Sequence, residues 1–544
     1  MDAGLQRFRP WPFVFAALFF LIPLWLFYSY PSSFWAGTDY QPLGLADALN
    51  LAYRIADREM YFARGLADHP GVPFYLMSWL ALALAGYPVA SADPGFFDRV
   101  IEHIEDYHQI TIWLGALTGA AGVYVFARAA RNLVPAGVVA IGLLTWLAST
   151  PATLFMFASP SVDSFAIVIN GLFFAVLVKT AHDPDPRPGV AILGAAVAAF
   201  AYLNKLSYLY VPLALLIVGL ANFSFRKVDP ARKRQLSILT GCTFVMVVAA
   251  VGALIIGWSG FRILVNFHKR VFLGTGLYGT GKGLVVSQHE VWRALTEIAS
   301  DGAYAVPIAL LGGAGLVVGG FLAGRKGVEH IPVALISIGT GFASLFSALF
   351  VLKHYSVHYT AGVSATLPAA MAAFYLLARS WGWSYRLRTV ATVLATIAVL
   401  LMADRTQHRL RSTLTAMTNT SVMAKADLQE IQAYLAGSDR TAEFGYRTPF
   451  SWHGEGFVIY YASIRRLTDD YVRHRQKMFS STAAEFLKRE AGAYVVDKSR
   501  LPTVESLRAA PNILLEGPKP VTIKDGDKVI ELRTVFLVIP GGRS

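Results

Sequence analysis

The chain has 544 residues, 55% of them hydrophobic, 13% aromatic and only 15% charged, with a mean hydropathy of +0.47. A soluble globular chain carries about 25% charged residues, so composition excludes a large water-soluble enzyme. The net charge of +13 would suit nucleic acid, but the placement of the basic residues gives it another cause.

An apolar run, Trp11 to Tyr30, follows Arg7 and Arg9. Tyr28, Tyr30, Pro31 and Phe34 make a poor cleavage context, so an uncleaved first span is expected rather than a signal peptide. Several further windows exceed the roughly 18 apolar residues that mark a span. About eleven spans are predicted, near 11–31, 109–127, 134–152, 161–180, 189–204, 206–222, 236–258, 302–323, 330–351, 360–379 and 388–403. Alternate links are short and basic: Arg128 and Arg131; Lys179 and Arg187; Arg226, Lys227, Arg232, Lys233 and Arg234; Arg325 and Lys326; Arg379, Arg386 and Arg388. The positive-inside rule makes these links and the N-terminus cytoplasmic. Topology thus accounts for the basic excess, and nucleic-acid binding is excluded. The single cysteine, Cys242, lies in an apolar run and can form no intrachain disulfide.

The opposite face carries a long first loop, 32–108, a second loop, 259–301, and a polar tail, 404–544. In the first loop GLADALNLAYRIADREMYFARGLA has apolar residues at helical spacing, an amphipathic helix for the interface. VPFYLMSWLALALAG is short for a span and reads as a second surface or re-entrant helix. The tail has helical patterning in AKADLQEIQAYLAG and STAAEFLKREAG and strand patterning in AYVVD and KVIELRTVFLVI, a small α/β domain. An odd span count sets it on the same aqueous face as the two loops, the periplasm of a bacterium.

The residues able to carry chemistry crowd at that face. Asp39 follows the first span directly; it could be a solvated loop aspartate, or a general base toward a hydroxyl. Asp68 and His69 precede Pro70, which disfavours helix at the residue before it, and so mark a junction. Asp163 sits near a span end, where a carboxylate is costly without a partner. Lys205 interrupts more than thirty apolar residues; it could simply snorkel or meet a phosphate at headgroup height. His268, Lys269 and Arg270 are basic in the second loop. Lys353, His354, His358 and Tyr359 place three potential cations and a hydroxyl within seven residues. His354 and His358 have i, i+4 spacing, but no HExxH and no third ligand accompanies them, so no metal is assigned and a phosphate cluster fits better. GTGLYGTGKG lacks the strand–loop–helix setting of a nucleotide loop.

Together these elements resemble the GT-C superfamily of integral-membrane glycosyltransferases, which take sugars from polyprenyl-phosphate carriers. Protein O-mannosyltransferases and the bacterial transferases that decorate lipid A with aminoarabinose or galacturonic acid belong to it. The resemblance covers the order of elements over roughly 11–403. It implies a catalytic membrane domain at 1–403 and an extracytoplasmic domain at 404–544. It makes Asp39 the base that deprotonates the acceptor and matches Asp68 and His69 to the family's His-Pro-Pro or Lys-Pro-Pro element; Asp163, by its depth, is a further acceptor or supporting residue. The carrier phosphate falls to Lys205, Lys269, Arg270, Lys353, His354, His358 and Tyr359. Where many members have Asp-Glu this chain has Asp39-Tyr40, and Gly71 stands where a second proline is usual.

The expected protein is a multi-pass inner-membrane enzyme with a cytoplasmic N-terminus and a periplasmic C-terminal domain. It moves a sugar, with inversion, from a polyprenyl-phosphate donor to an envelope lipid, glycan or protein hydroxyl. Membrane lipid is a further partner. No cofactor is assigned; a divalent cation stays open. The rival from another class is a secondary transporter of an envelope precursor, which would hold its ionisable groups near the membrane midplane with broken helices around them.

Overall fold

The structure is a computed structural model. It describes residues 10–30, 71–87, 103–150, 162–183, 187–226, 228–251, 266, 269–271, 273–274, 287–353, 355, 359–435, 442–444, 493–498, 501–510 and 523–541. The chain forms two compact units. One comprises Met1–Trp25, Met60–Met77 and Ile112–Leu410; the other comprises Leu26–Glu59, Ser78–Thr111 and Arg411–Ser544.

In chain order the helices are α1 Trp11–Ser29, α2 Val72–Leu84, α3 Ile104–Ala130, α4 Ala136–Ala148, α5 Ala166–His182, α6 Pro188–Asn204, α7 Tyr210–Phe225 and α8 Pro230–Val251. They continue with α9 Gln288–Asp301, α10 Ala305–Gly324, α11 Ile331–Lys353, α12 Thr360–Ser364, α13 Leu367–Ser380 and α14 Tyr385–Leu435. Among the described residues nine helical stretches are long and apolar enough to cross a membrane, and α2, α4 and α6 are shorter apolar helices. The chain is a polytopic, mainly helical membrane protein. Each of the eleven predicted spans coincides with a helix. The last of them does not stop near residue 403 but continues as α14 to Leu435.

Helix α11 is the hub of the first unit, packed by α5, α7, α9, α10, α12 and α13. Small residues make this closeness feasible, because helices in lipid associate by backbone approach rather than by expelling water. A Cβ on Gly313 of α10 would sit 2.8 Å from the Gly341 carbonyl oxygen of α11, and one on Gly341 would sit 2.8 Å from the Gly313 oxygen. Gly122 of α3 and Gly171 of α5 meet in the same manner. Outward faces stay apolar: Val245 and Met246 on α8 and Leu394 and Leu401 on α14 are all more than 60% exposed. Lipid, not water, is the solvent those side chains suit.

The second unit holds a four-stranded sheet of β1 Ala442–Phe444, β2 Ala493–Asp497, β3 Lys528–Glu531 and β4 Val535–Ile539, in the order β1-β2-β4-β3. β1 runs parallel to β2; the other two pairs are antiparallel, with Val495 opposite Leu537. The continuous apolar run of β4 is what burial on both faces requires. Val535 and Leu537 pack with Ala424 and Ile431 of α14, while Phe536 and Val538 pack with Leu507 of α15, Val504–Ala509. AYVVD and the two halves of KVIELRTVFLVI are strands as expected, whereas the parallel strand β1 had no signal. The amphipathic stretch in 44–67 and the helix expected over 481–492 lie outside the described residues.

Candidate functional site

The site is built where three apolar segments break. Helix α6 ends at Asn204 because Lys205 leaves helical geometry for an extended conformation, φ −162° and ψ 142°. A 3-10 turn, Leu206–Leu209, then leads into α7, and another, Val162–Phe165, leads into α5. The third segment is the turn of chain from Tyr359 into α12. Breaks of this kind free backbone groups and aim polar side chains inward.

Lys205 Nζ donates to Asp163 Oδ2 at 2.7 Å, with both side chains only 2% exposed. Tyr208 donates its hydroxyl to the other carboxylate oxygen at 3.2 Å. The ammonium also lies 4.9 Å from the centre of the Tyr359 ring, the geometry of a cation–π contact. Asn204 donates to the Val162 carbonyl at 2.9 Å, and Asn170 donates to the Tyr210 hydroxyl at 2.7 Å. Tyr210 reaches the Gly362 carbonyl at 3.4 Å. The three breaks are thus tied into one buried polar network. A charge pair this deep is stable only when hydrogen bonds complete it, and here Tyr208 completes it.

Residue 71 joins the same region. The Gly71 amide donates to the Asn204 carbonyl at 2.8 Å. Gly71 has φ +49°, and a Cβ there would fall 2.4 Å from the Tyr75 ring. Proline is confined near φ −65°, so this backbone excludes proline at position 71 and suits glycine.

Of the predicted site residues, the structure brings together Asp163, Lys205 and Tyr359. Lys353 ends α11, buried, and is attracted by Glu290 of α9. Close by in sequence, Tyr355 donates to Asp301 Oδ2 at 2.8 Å. Burial first, then this bond, pushes its phenol well above the usual tyrosine range. Lys269 and Arg270 are exposed and do not join the cluster among the described residues. Asp39, Asp68, His69, His354 and His358 lie outside the described residues. Sequence reasoning missed Tyr208, Asn204, Asn170 and Tyr210. For all but Asn170 the available signal was the polar residues recurring in LNKLSYLY within an apolar run. Among the described residues no three His, Cys, Asp or Glu side chains gather as a metal site would need.

No protein-family model matches the chain, and no curated protein matches it. Among solved structures the chain is similar to ArnT from Cupriavidus metallidurans bound to undecaprenyl phosphate, with a TM-score of 0.50, 13% identity and 97% of each chain covered. The apo state of the same protein superposes with a TM-score of 0.48 at 14% identity, again over 97% of each chain. At such identity the likeness is one of fold, and it spans essentially the whole chain. The fold is therefore that of a polytopic membrane protein with a small sheet-containing part. More particularly it is the fold that ArnT adopts, as the sequence resemblance implied.

Proposed function

We propose that the chain is an inverting glycosyltransferase that uses a polyprenyl-phosphate sugar as donor. The observation that carries the reading is the buried Asp163–Lys205 pair under the Tyr359 ring: a cation fixed at a break between spans, where a lipid-borne phosphate would enter. Lys carries three N–H donors and no acceptor, and a single hydrogen-bond partner among the described residues, Asp163, leaves donor capacity for phosphate oxygens. The shared fold with a protein solved with undecaprenyl phosphate supports the same donor class.

In the reaction Asp39 takes the proton of the acceptor hydroxyl. The acceptor oxygen attacks the anomeric carbon from the side opposite the phosphate, and the carbon–oxygen bond to phosphate breaks. The electron pair leaves on the polyprenyl phosphate, whose charge Lys205 and Lys353 stabilise. No covalent enzyme intermediate is needed, so the anomeric configuration inverts. The site faces the periplasm of a bacterial inner membrane, and Asp68 and His69 take an acceptor or supporting role.

The test incubates purified protein and envelope extract with a panel of radiolabelled polyprenyl-phosphate sugars. Transfer from one donor is expected, abolished by Asp39→Asn while carrier binding persists and weakened by Lys205→Met through loss of carrier binding. If no donor in the panel binds or reacts, the transferase reading falls and the transporter reading replaces it.

A further inference from the structure

The far end of α5 from Asp163 borders a second site. Twenty residues at about 1.5 Å each separate Asp163 from Asp183, roughly 30 Å along the helix direction, so this place is remote from the candidate catalytic cluster. Here α5, α6, α7 and α8 enclose a cleft of about 360 Å³, within the range of about 300–1,000 Å³ typical of small-molecule sites. Its body is apolar, with Val176 and Phe244 among the lining residues, and its rim includes Leu216, which is 60% exposed toward lipid.

One end is polar in a specific way. Asn222 lines the cleft and is only 2% exposed, yet its Oδ1 has no hydrogen-bond partner among the described residues. Asp183 and Arg187 flank it, with Arg187 Nε 3.3 Å from Asp183 Oδ2. Arg226 is already engaged, donating to the carbonyls of Asp183 and Ala181. A buried amide oxygen without a partner is costly, and a ligand with an N–H donor would satisfy it. Two glycines of the lining, Gly219 and Gly241, sit inside helices α7 and α8 at a conformational cost. A Cβ at either would meet nothing within 4 Å, so both border open space.

We propose that this cleft binds one membrane phospholipid with a zwitterionic, ammonium-bearing head. The ammonium is held by Asn222 Oδ1 and the Asp183 carboxylate. The phosphate is held by the outward-reaching Arg187 guanidinium, and an acyl chain runs past Gly219 between α6, α7 and α8. The paired charges of Asp183 and Arg187 match a head of both signs; an anionic head lacking the ammonium would compete with Asp183 for Arg187 and offer that carboxylate no cation in return. The inference does not depend on the transferase reading.

Native mass spectrometry of the delipidated full-length protein, titrated with dioleoyl phosphatidylethanolamine or dioleoyl phosphatidylglycerol, tests it. One phosphatidylethanolamine should be retained per chain, at least tenfold more tightly than phosphatidylglycerol. Asn222→Leu should weaken retention tenfold or more, and Gly219→Phe, whose Cβ meets nothing within 4 Å and whose ring would occupy the cleft, should abolish it. Gly219→Ala should keep it, with melting curves verifying that each variant is folded. Equal retention of both lipids, or wild-type retention by folded Gly219→Phe, would mean an ordinary boundary lipid and overturn the proposal, as would no retained lipid in the wild type.

Discussion

Asp163 and Lys205 lie 42 residues apart in sequence, with α5 and α6 between them, and meet at 2.7 Å where neither reaches solvent. Removing one partner of a buried pair leaves a bare charge, which costs about 3–5 kcal/mol, whereas replacing both can be nearly neutral. Asp163→Asn and Lys205→Met should each destabilise the protein by that order in detergent. The double variant should recover most of the loss, as measured in a double-mutant cycle of denaturant midpoints. Additive losses would show that the two charges do not act as a pair.

The ring of Tyr359 lies under the Lys205 ammonium, its centre 4.9 Å away. A desolvated cation–π contact is worth up to about 2 kcal/mol. Tyr359→Leu, which removes the ring, should lower the melting temperature by several degrees, and by more than Tyr359→Phe, which keeps it. A larger loss in the phenylalanine variant would make the hydroxyl the important group.

The α10–α11 contact depends on the absence of side chains at two positions. Gly341→Leu should either block folding or disrupt the hub, because its Cβ alone would come within 2.8 Å of the Gly313 carbonyl oxygen. Gly137→Leu is the control, since a Cβ there meets nothing within 4 Å. Size-exclusion recovery after solubilisation distinguishes them: the first is expected to aggregate and the second to elute as wild type does.

Tyr355 gives the first unit an alkaline limit. Its phenol is raised in the folded state by burial and by the bond to Asp301. The raised value stabilises the folded protein fully below the unfolded tyrosine range. That stability is lost as pH climbs from about 10. Tyr355→Phe should cost about 1.5–3 kcal/mol at pH 8, the worth of a hydrogen bond to a charged group. It should also flatten the fall in melting temperature between pH 9 and 11. An unchanged fall would assign the alkaline limit to other groups.

In the second unit the fully buried Asp427 of α14 accepts from the Arg533 and Thr534 backbone amides, the Thr534 hydroxyl and the Arg533 guanidinium. Asp427→Ala strands those donors, at about 1–3 kcal/mol for each one left buried. Hydrogen exchange of β3 and β4 should accelerate strongly, while α10 and α11 in the other unit keep their protection. Unchanged exchange at Thr534 would show the carboxylate to be dispensable.

What the sequence determined by itself was what depends on local composition. Apolar runs as long as a bilayer is thick cannot be anything but spans or buried helices, so nine of the eleven predicted spans met a helix long enough to cross, and the other two met the shorter α4 and α6. The unbroken run VFLVI likewise announced a strand covered on both faces. Asp163 and Lys205 stood out because a charge in an apolar segment is costly anywhere. Tertiary structure alone decided which of these charges are partners. Neither spacing nor composition records that the break at Lys205 lies beside the break at Val162, or that Tyr208 rather than a second cation completes the carboxylate. Exposed Lys269 looked as suitable as Lys205, and the amide of Asn222 looked like any other polar residue near a span end. Partnership and solvent access are properties of chain crossings fixed by close helix packing, such as Gly313 against Gly341. Crossings between residues far apart in sequence leave no local pattern to read.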